Sequence, residues 1–248
     1  MVVRTKIQCL FLILLSILIP KAFAQEAPKA VRITVAAVYL SKRIYRGALI
    51  WDAPIMAAGP SFVFYDKVSL GQGGLSVFKK FAHFHTATLG ATFFNDNQPN
   101  GPILKLKNRA SDFKNQRGST YGVYLKHDFK FKRYMATSLT YFLDLRRNHG
   151  NYANARISTS MIPFLTVGAG LGWGDLNNNK YVYGPEAMSG LGHIDGFVSA
   201  MLPGLPWHGR LSLNYSLSQI AKITNQQADY IRGNDLNSFV SFAAMWNI

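Results

Sequence analysis

The side chains able to do chemistry are few and scattered. Six histidines, His83, His85, His127, His149, His193 and His208, are spread over 248 residues. His83-Phe84-His85 puts two imidazoles on one strand face, a possible metal pair. No carboxylate stands near them at ligand spacing, and two ligands do not close a metal site. Asp144 and His149 could form an acid–base pair, but their gap spans a strand end and a loop. No serine is singled out as a nucleophile beside them. Gly168, Gly170, Gly172 and Gly174 offer a Gly-x-Gly spacing. A dinucleotide site would need a helix to follow, and Asn177-Asn178-Asn179 follows instead. These glycines alternate with Val167, Ala169, Leu171 and Trp173, so they read as one face of a strand, where they ease bending or close packing. No catalytic residue, metal or cofactor is expected.

The elements that carry these residues are hinted at by composition. Lys and Arg number 27 against 12 Asp and Glu, a formal charge of +15, and 16% of residues are charged. Mean hydropathy is only +0.04. A disordered polyelectrolyte would have far fewer apolar residues, and a bundle of membrane helices would raise the average. Aromatics reach 13%, glycines number 21, and glutamate occurs only at Glu26 and Glu186. That balance leans towards β-structure, since helices favour glutamate.

Residues 1–24 read as a cleaved secretory signal. Arg4 and Lys6 precede an apolar run from Cys9 to Ile19; Pro20 breaks it, and Ala22-Phe23-Ala24 supplies the cleavage pattern. The run is too short for a membrane-spanning helix. Residues 25–248 then form one domain carrying +12 and no cysteine. Disulfides and thiolate chemistry are excluded, and export with dispersed charge argues against a nucleic-acid partner.

Period two dominates the rest. In 211–218 every odd residue is apolar and every even one polar; 31–35, 135–145 and 153–162 alternate likewise. No helical periodicity of comparable length stands out after residue 30. Strands are expected near 31–41, 55–65, 67–72, 74–80, 82–94, 117–130, 133–146, 153–162, 164–174, 190–202, 208–219 and 237–247. Their lengths suit tilted strands crossing a bilayer, and short turns alternate with long polar loops. The expected fold is all-β, an antiparallel transmembrane β-barrel. Parity allows twelve strands or ten, depending on a reversal at Gln72-Gly73-Gly74, and twelve is preferred. Aromatics near the strand ends would form interfacial girdles: Phe62, Phe64, Tyr65, Phe78, Phe81, Phe93, Phe94, Phe129, Phe131, Tyr134, Trp207 and Trp246. A soluble β-sandwich is the competing reading.

In this register Arg32, Lys126, Asp128, Asp144, Arg156 and Arg210 point into the barrel. They could pair and fill the lumen or line a narrow polar pore, and a largely occluded lumen is expected. Lys105, Lys107, Arg109, Lys114 and Arg117 lie in or beside the longest loop, where lipopolysaccharide phosphates would attract them. Lys79, Lys80, Lys130, Lys132 and Arg133 fall at predicted inner turns.

The order of motifs resembles the MipA/OmpV outer-membrane proteins. The elements are Tyr45-Arg46-Gly47, the aromatic strand Pro60–Tyr65, the segment Asp144 to His149-Gly150, the turn Tyr181-Val182-Tyr183-Gly184, and a closing amphipathic strand. Ala48 and Arg147-Asn148 depart from the pattern. The resemblance implies an outer-membrane barrel, at Tyr45, Gly47, Asp144, His149, Gly150, Tyr183 and Gly184 as motif positions. It also implies a non-enzymatic scaffold linked to periplasmic murein hydrolase and synthase proteins. A narrow channel for small polar or anionic solutes is the alternative, and an outer-membrane hydrolase a third reading.

Overall fold

Alternation becomes strands with two unlike faces, and the strands close on themselves. The computed structural model describes residues 30–46, 48–51, 54–71, 74–95, 103–105, 119–131, 134–146, 148–205, 209–221 and 236–247. The predicted signal segment 1–24, Gly47, Lys107, Arg109, Lys114, Arg117, Lys132, Arg133, Arg147, Trp207 and His208 lie outside them.

In chain order the elements are β1 (Val31–Leu40), β2 (Arg43–Tyr45), β3 (Ala48–Trp51), β4 (Ile55–Phe64), β5 (Val68–Gly71), β6 (Gly74–Ala82), β7 (His85–Asn95), β8 (Ile103–Lys105), β9 (Ser119–Phe131) and β10 (Met135–Asp144). They continue with β11 (Asn151–Ile162), β12 (Leu165–Gly174), α1 (Leu176–Tyr183), β13 (Gly190–Leu205), β14 (Gly209–Ile220) and β15 (Leu236–Asn247). The antiparallel ladder runs β1-β15-β14-β13-β12-β11-β10-β9-β7-β6-β5-β4, and β4 pairs with β1 to close it. This is a closed twelve-stranded barrel; Gln72 and Gly73 of the expected reversal lie outside the described residues, and Gly71 of β5 pairs with Gly74 of β6 on either side of them. Closure leaves no sheet edge to solvate or aggregate.

The strand ends joined by short connections gather at one end, here the turn end: Phe64 and Val68, Ala82 and His85, Phe131 and Met135, Ile162 and Leu165, Leu205 and Gly209. Those joined by long connections gather at the loop end. There the structure adds elements the periodicity did not announce: the β2–β3 hairpin, β8 paired to the start of β4, and the helix α1. The reading of Asn177-Asn178-Asn179 as standing in place of a helix is therefore corrected: these residues lie in α1. The helix is only eight residues long, and its Asn-rich sequence has no apolar stripe. Asp175 starts it by accepting the Asn178 N–H at 2.9 Å.

The outward face is apolar. Leu139, Ile157, Leu171, Ile194, Val198, Leu213 and Leu217 all stand exposed on it. A soluble barrel would hide such residues, so this exterior is built for lipid. No helix among the described residues is long and apolar enough to cross a membrane, which says nothing of strands. Aromatics band the outside near both ends, including Phe93, Tyr121, Tyr141 and Trp173 towards the loops and Phe81, Phe84, Phe131, Tyr134 and Phe164 towards the turns. Phe78 does not join them. It pairs with Thr88 on the inward face, because it lies in step with Ser76 and not with Leu75 and Val77.

β5 pairs with only Phe62–Phe64 of β4. Tyr65 donates its N–H to Ala30 of the β1 side, so even residues of β4 turn their N–H groups away from β1. Pro60 is even, has no N–H to offer, and stands just beyond the last pair. Gly71 lies so close that a Cβ there would be 2.8 Å from the Ser61 Cβ.

Candidate functional site: the lumen and its loop-end mouth

The register fixes which residues line the lumen. Ser138 pairs with Asp128 and Arg156, Thr140 with Lys126, and Asp144 with Gly122. Arg156 pairs with Gly170, Gly170 with Asp195, Asp195 with Ser218, and Arg210 with Met245. Arg32 pairs with Val63. All therefore share one face, the face opposite the exposed leucines. Arg32, Lys126, Asp128, Asp144, Arg156 and Arg210 stand on it at different heights and do not form one cluster.

The β12 glycines form a lane down the lumen wall, and larger side chains lie in it. A Cβ at Gly170 would come within 2.9 Å of both Arg156 Cγ and Asp195 Oδ2. One at Gly172 would overlap the His193 ring and come within 2.6 Å of the Tyr152 hydroxyl, and one at Gly168 would overlap the Phe197 ring. The lane thus holds a file of functional groups. Arg156 bridges to Asp195 at 2.9 Å and lies over the Phe197 ring at 4.9 Å. His193 Nε2 is 3.4 Å from Asp195 and 3.4 Å from the Tyr152 hydroxyl. His193 is 4% exposed, and its Nδ1 and the Ser218 Oγ are buried with no hydrogen-bond partner among the described residues. Buried polar atoms of this kind are where water or a ligand atom is accommodated. Tyr152 and Asp195 were not picked out from sequence, and His193 was named there only among the six histidines. The alternation His193, Asp195, Phe197, Ser199 was the available signal.

Side chains pack together at the loop-end mouth. Arg46, just after β2, has a left-handed backbone, φ 50°. Its guanidinium hydrogen-bonds Asn178 Oδ1 of α1. It lies over the rings of Tyr152 at 4.2 Å, Tyr45 at 4.7 Å and Phe142 at 5.1 Å. Its carbonyl accepts the Tyr183 hydroxyl at 2.6 Å. Ala48 of β3, Val182 and Tyr183 of α1, Ala187 and Ile220 of β14 form a buried apolar cluster. Asn179 donates to Met188 O and Gly174 O, tying α1 across the ends of β12 and β13. The hairpin and the helix thus meet inside the mouth, on side chains of the wall.

Three sequence motifs converge there. Tyr45 and Arg46 come from the first loop and Tyr183 from the last turn of α1, with Gly184 capping that helix. Asp144 is 2% exposed and accepts Thr120 Oγ1 at 2.8 Å and the Arg146 N–H at 2.9 Å. Gly150 packs so tightly under α1 that a Cβ would sit 2.8 Å from the Asn178 Cα. Gly47 lies outside the described residues. His149 is exposed with φ 50°, whereas Asp144 is buried and engaged in closing its loop. They do not make an acid–base pair.

The histidine pair of the sequence is also reassigned. His83 lies in the turn after β6, edge-on to Phe84. His85 points outwards from β7, where His127 of β9 meets it at 3.0 Å, stacked among Phe81 and Phe129. The two-residue spacing failed because His83 and Phe84 form the turn between β6 and β7, and the strand begins only at His85. No group of three metal-ligating side chains gathers among the described residues.

At the turn end the lumen is basic. Arg32 reaches Asp66 of the first turn at 3.3 Å and Lys126 reaches Asp128 at 2.9 Å. Both pairs are half exposed and contribute little stability. Lys80, Lys130 and Arg210 face the same opening, exposed.

No protein-family model matches the sequence, and no curated protein matches it. Among solved structures, the KdgM porin is 10% identical, over 87% of this chain and 98% of that one, with a TM-score of 0.41. The NanC porin is 11% identical over the same shares, with a TM-score of 0.42. For the outer membrane protein OprD from Pseudomonas aeruginosa the identity is 11%, over 87% of this chain and 65% of that one, with a TM-score of 0.37. Likeness at this level carries no argument about function; the closed ladder itself defines the architecture.

Proposed function

We propose that this protein is a non-enzymatic outer-membrane barrel whose lumen is a narrow pathway for small anionic solutes. The loop end faces outwards and the turn end the periplasm, the arrangement of bacterial single-chain barrels. The observation that carries the reading is the charge of the lumen. Arg32, Lys80, Lys126, Lys130, Arg156 and Arg210 line it against Asp128, Asp144 and Asp195, and Asp144 is held within its own loop. Rings of basic side chains in a low-dielectric tube favour anions. Arg156, over the β12 glycines, places a guanidinium on the wall between the two mouths, where it can make paired hydrogen bonds to a carboxylate or phosphate.

The packed mouth favours a second reading, the scaffold that the resemblance to MipA/OmpV proteins implies. A sealed barrel would serve as an anchor for periplasmic murein hydrolase and synthase proteins. Lipopolysaccharide would surround either form. Purified protein in planar bilayers separates the two. The channel reading expects small conductance steps, with reversal potentials in a KCl gradient displaced towards chloride. A cation-preferring barrel, or one that stays sealed even without residues 43–51, shown to be folded by its heat-modifiable mobility on denaturing gels, overturns it.

A further inference from the structure

The hairpin β2–β3 rests on the apolar cluster through Ala48 and Tyr45 and accepts the Tyr183 hydroxyl, and it reaches the β10–β11 wall through a side chain that could be withdrawn without dismantling the barrel. Arg46 belongs to the first loop, yet its guanidinium is received by Phe142 of β10, Tyr152 of β11 and Asn178 of α1. Phe142 and Tyr152 are direct cross-strand partners on the lumen face, so their rings form a fixed recess. The ladder β10–β11 runs unbroken from Met135↔Thr159 to Leu143↔Asn151 and owes nothing to Arg46. The backbone at Arg46 is left-handed, a conformation that a non-glycine residue holds only when its surroundings enforce it.

We propose that Arg46 is a latch: the Phe142–Tyr152–Asn178 recess is a guanidinium site in the lumen wall, filled from within the chain, and its occupancy holds the β2–β3 hairpin across the loop-end mouth. Release of Arg46 lets the hairpin leave and opens the lumen. The recess is suited to a planar cation, which stacks on aromatic faces and donates in its own plane. Ala48 and Tyr45, on the apolar cluster with Val182 and Ile220, and the Tyr183 hydroxyl on the Arg46 carbonyl seat the hairpin, and the guanidinium adds the directional contact to the β10–β11 wall. This proposal rests on the channel reading and supplies its regulation.

The experiment compares wild type, Arg46→Ala, Arg46→Lys, a variant lacking residues 43–51, and the pair Ala48→Cys with Ile220→Cys. All are purified full-length, checked for heat-modifiable folding and recorded in planar bilayers. Loss of an aromatic-stacked, hydrogen-bonded cation should raise the open fraction about tenfold or more in Arg46→Ala. Arg46→Lys, which keeps the charge and loses the planar fork, should fall between Arg46→Ala and wild type. The cysteine pair, in a chain whose Cys9 lies in the predicted signal, should close on oxidation and reopen on reduction. Equal conductance in wild type, both Arg46 variants and the oxidised pair overturns the latch and leaves the channel standing. Silence of every protein, the hairpin-deleted variant included, overturns the channel reading and the latch with it.

Discussion

The two ends of the barrel are finished in opposite ways. At the loop end the side chains are packed away: Asn178 and Asn179 are 1% exposed, Tyr183 1% and Asp144 2%. At the turn end Lys80, Lys130 and Arg210 stand in the open. The wall between them is a closed ladder, shortest where β5 pairs with only Phe62–Phe64 of β4, that carries its own backbone hydrogen bonds, as a bilayer requires. Such a wall fixes the strands but leaves both rims free to be built separately. Here the loop-end rim is a small second core set inside a polar tube, and the turn-end rim is a charged ring set by electrostatics. A defect in the first should therefore cost stability, and a defect in the second should alter ion preference.

The largest expected effect is at the glycine lane that lets the loop-half groups lie flat. Gly172→Val would drive a branched side chain into the His193 ring and the Tyr152 hydroxyl. Overpacking of this kind costs about 3 kcal/mol, and it should lower the urea midpoint of the detergent-folded barrel or block assembly. Gly196→Ala is the control: its Cβ would meet nothing nearer than Gly168 O at 3.9 Å, and the change should stay below about 1 kcal/mol. Equal loss in both would mean that the lane is not a receptacle for lumen side chains.

That lane also shows where sequence reasoning ends. The twelve strands were readable because alternation and turn residues are local: Leu211 to Ser218 declares its two faces unaided. The glycine face of β12 was readable as well. What fills it was not, because His193, Asp195 and Tyr152 come from neighbouring strands and reach the lane only after pairing. Arg46 was quoted within a motif without its role, since its acceptor, Asn178, is 132 residues away. The helix α1 had one local mark, Asp175 three residues before Asn178. Its register offers no apolar period to betray it, because Asn178 and Asn179 are buried through side-chain hydrogen bonds. The histidine pair was misplaced for a local reason: the strand expected from residue 82 begins at His85, which leaves His83 in the turn.

A carboxylate from each end gives the next comparison. Asp144 accepts the Arg146 N–H and the Thr120 hydroxyl in a buried site. Asp144→Ala should cost about 2–3 kcal/mol, because those donors lose their acceptor away from water. Asp128, paired with Lys126 at 33–40% side-chain exposure, should cost under about 1 kcal/mol on the same change. Both are read by denaturant midpoint in the same detergent. Reversal of that order would mean that the loop-end rim is not a core.

The smallest stability effect should accompany the clearest change in conduction. Lys80, Lys130 and Arg210 sit in the turn-end opening on the lumen face. Changing all three to glutamine removes three positive charges without touching a buried contact, so the unfolding midpoint should move little. Charges that line an opening raise the local concentration of the opposite ion. Their removal should reduce the chloride-to-potassium permeability ratio about threefold at low salt. The Debye length shrinks from about 10 Å at 0.1 M to about 3 Å at 1 M, so the difference should fade as salt rises. Arg156 responds differently, because it stands over Gly170 on the lumen wall rather than at an open rim. Its ion pair with Asp195 is held at 2.9 Å by a carboxylate only 12% exposed. Arg156→Gln should reduce anion preference at high salt as well, where screening in the tube is weaker. If instead the rim variant loses selectivity equally at both salt concentrations and Arg156→Gln has no effect, the selective element is the turn-end ring alone, and the glycine lane serves packing only.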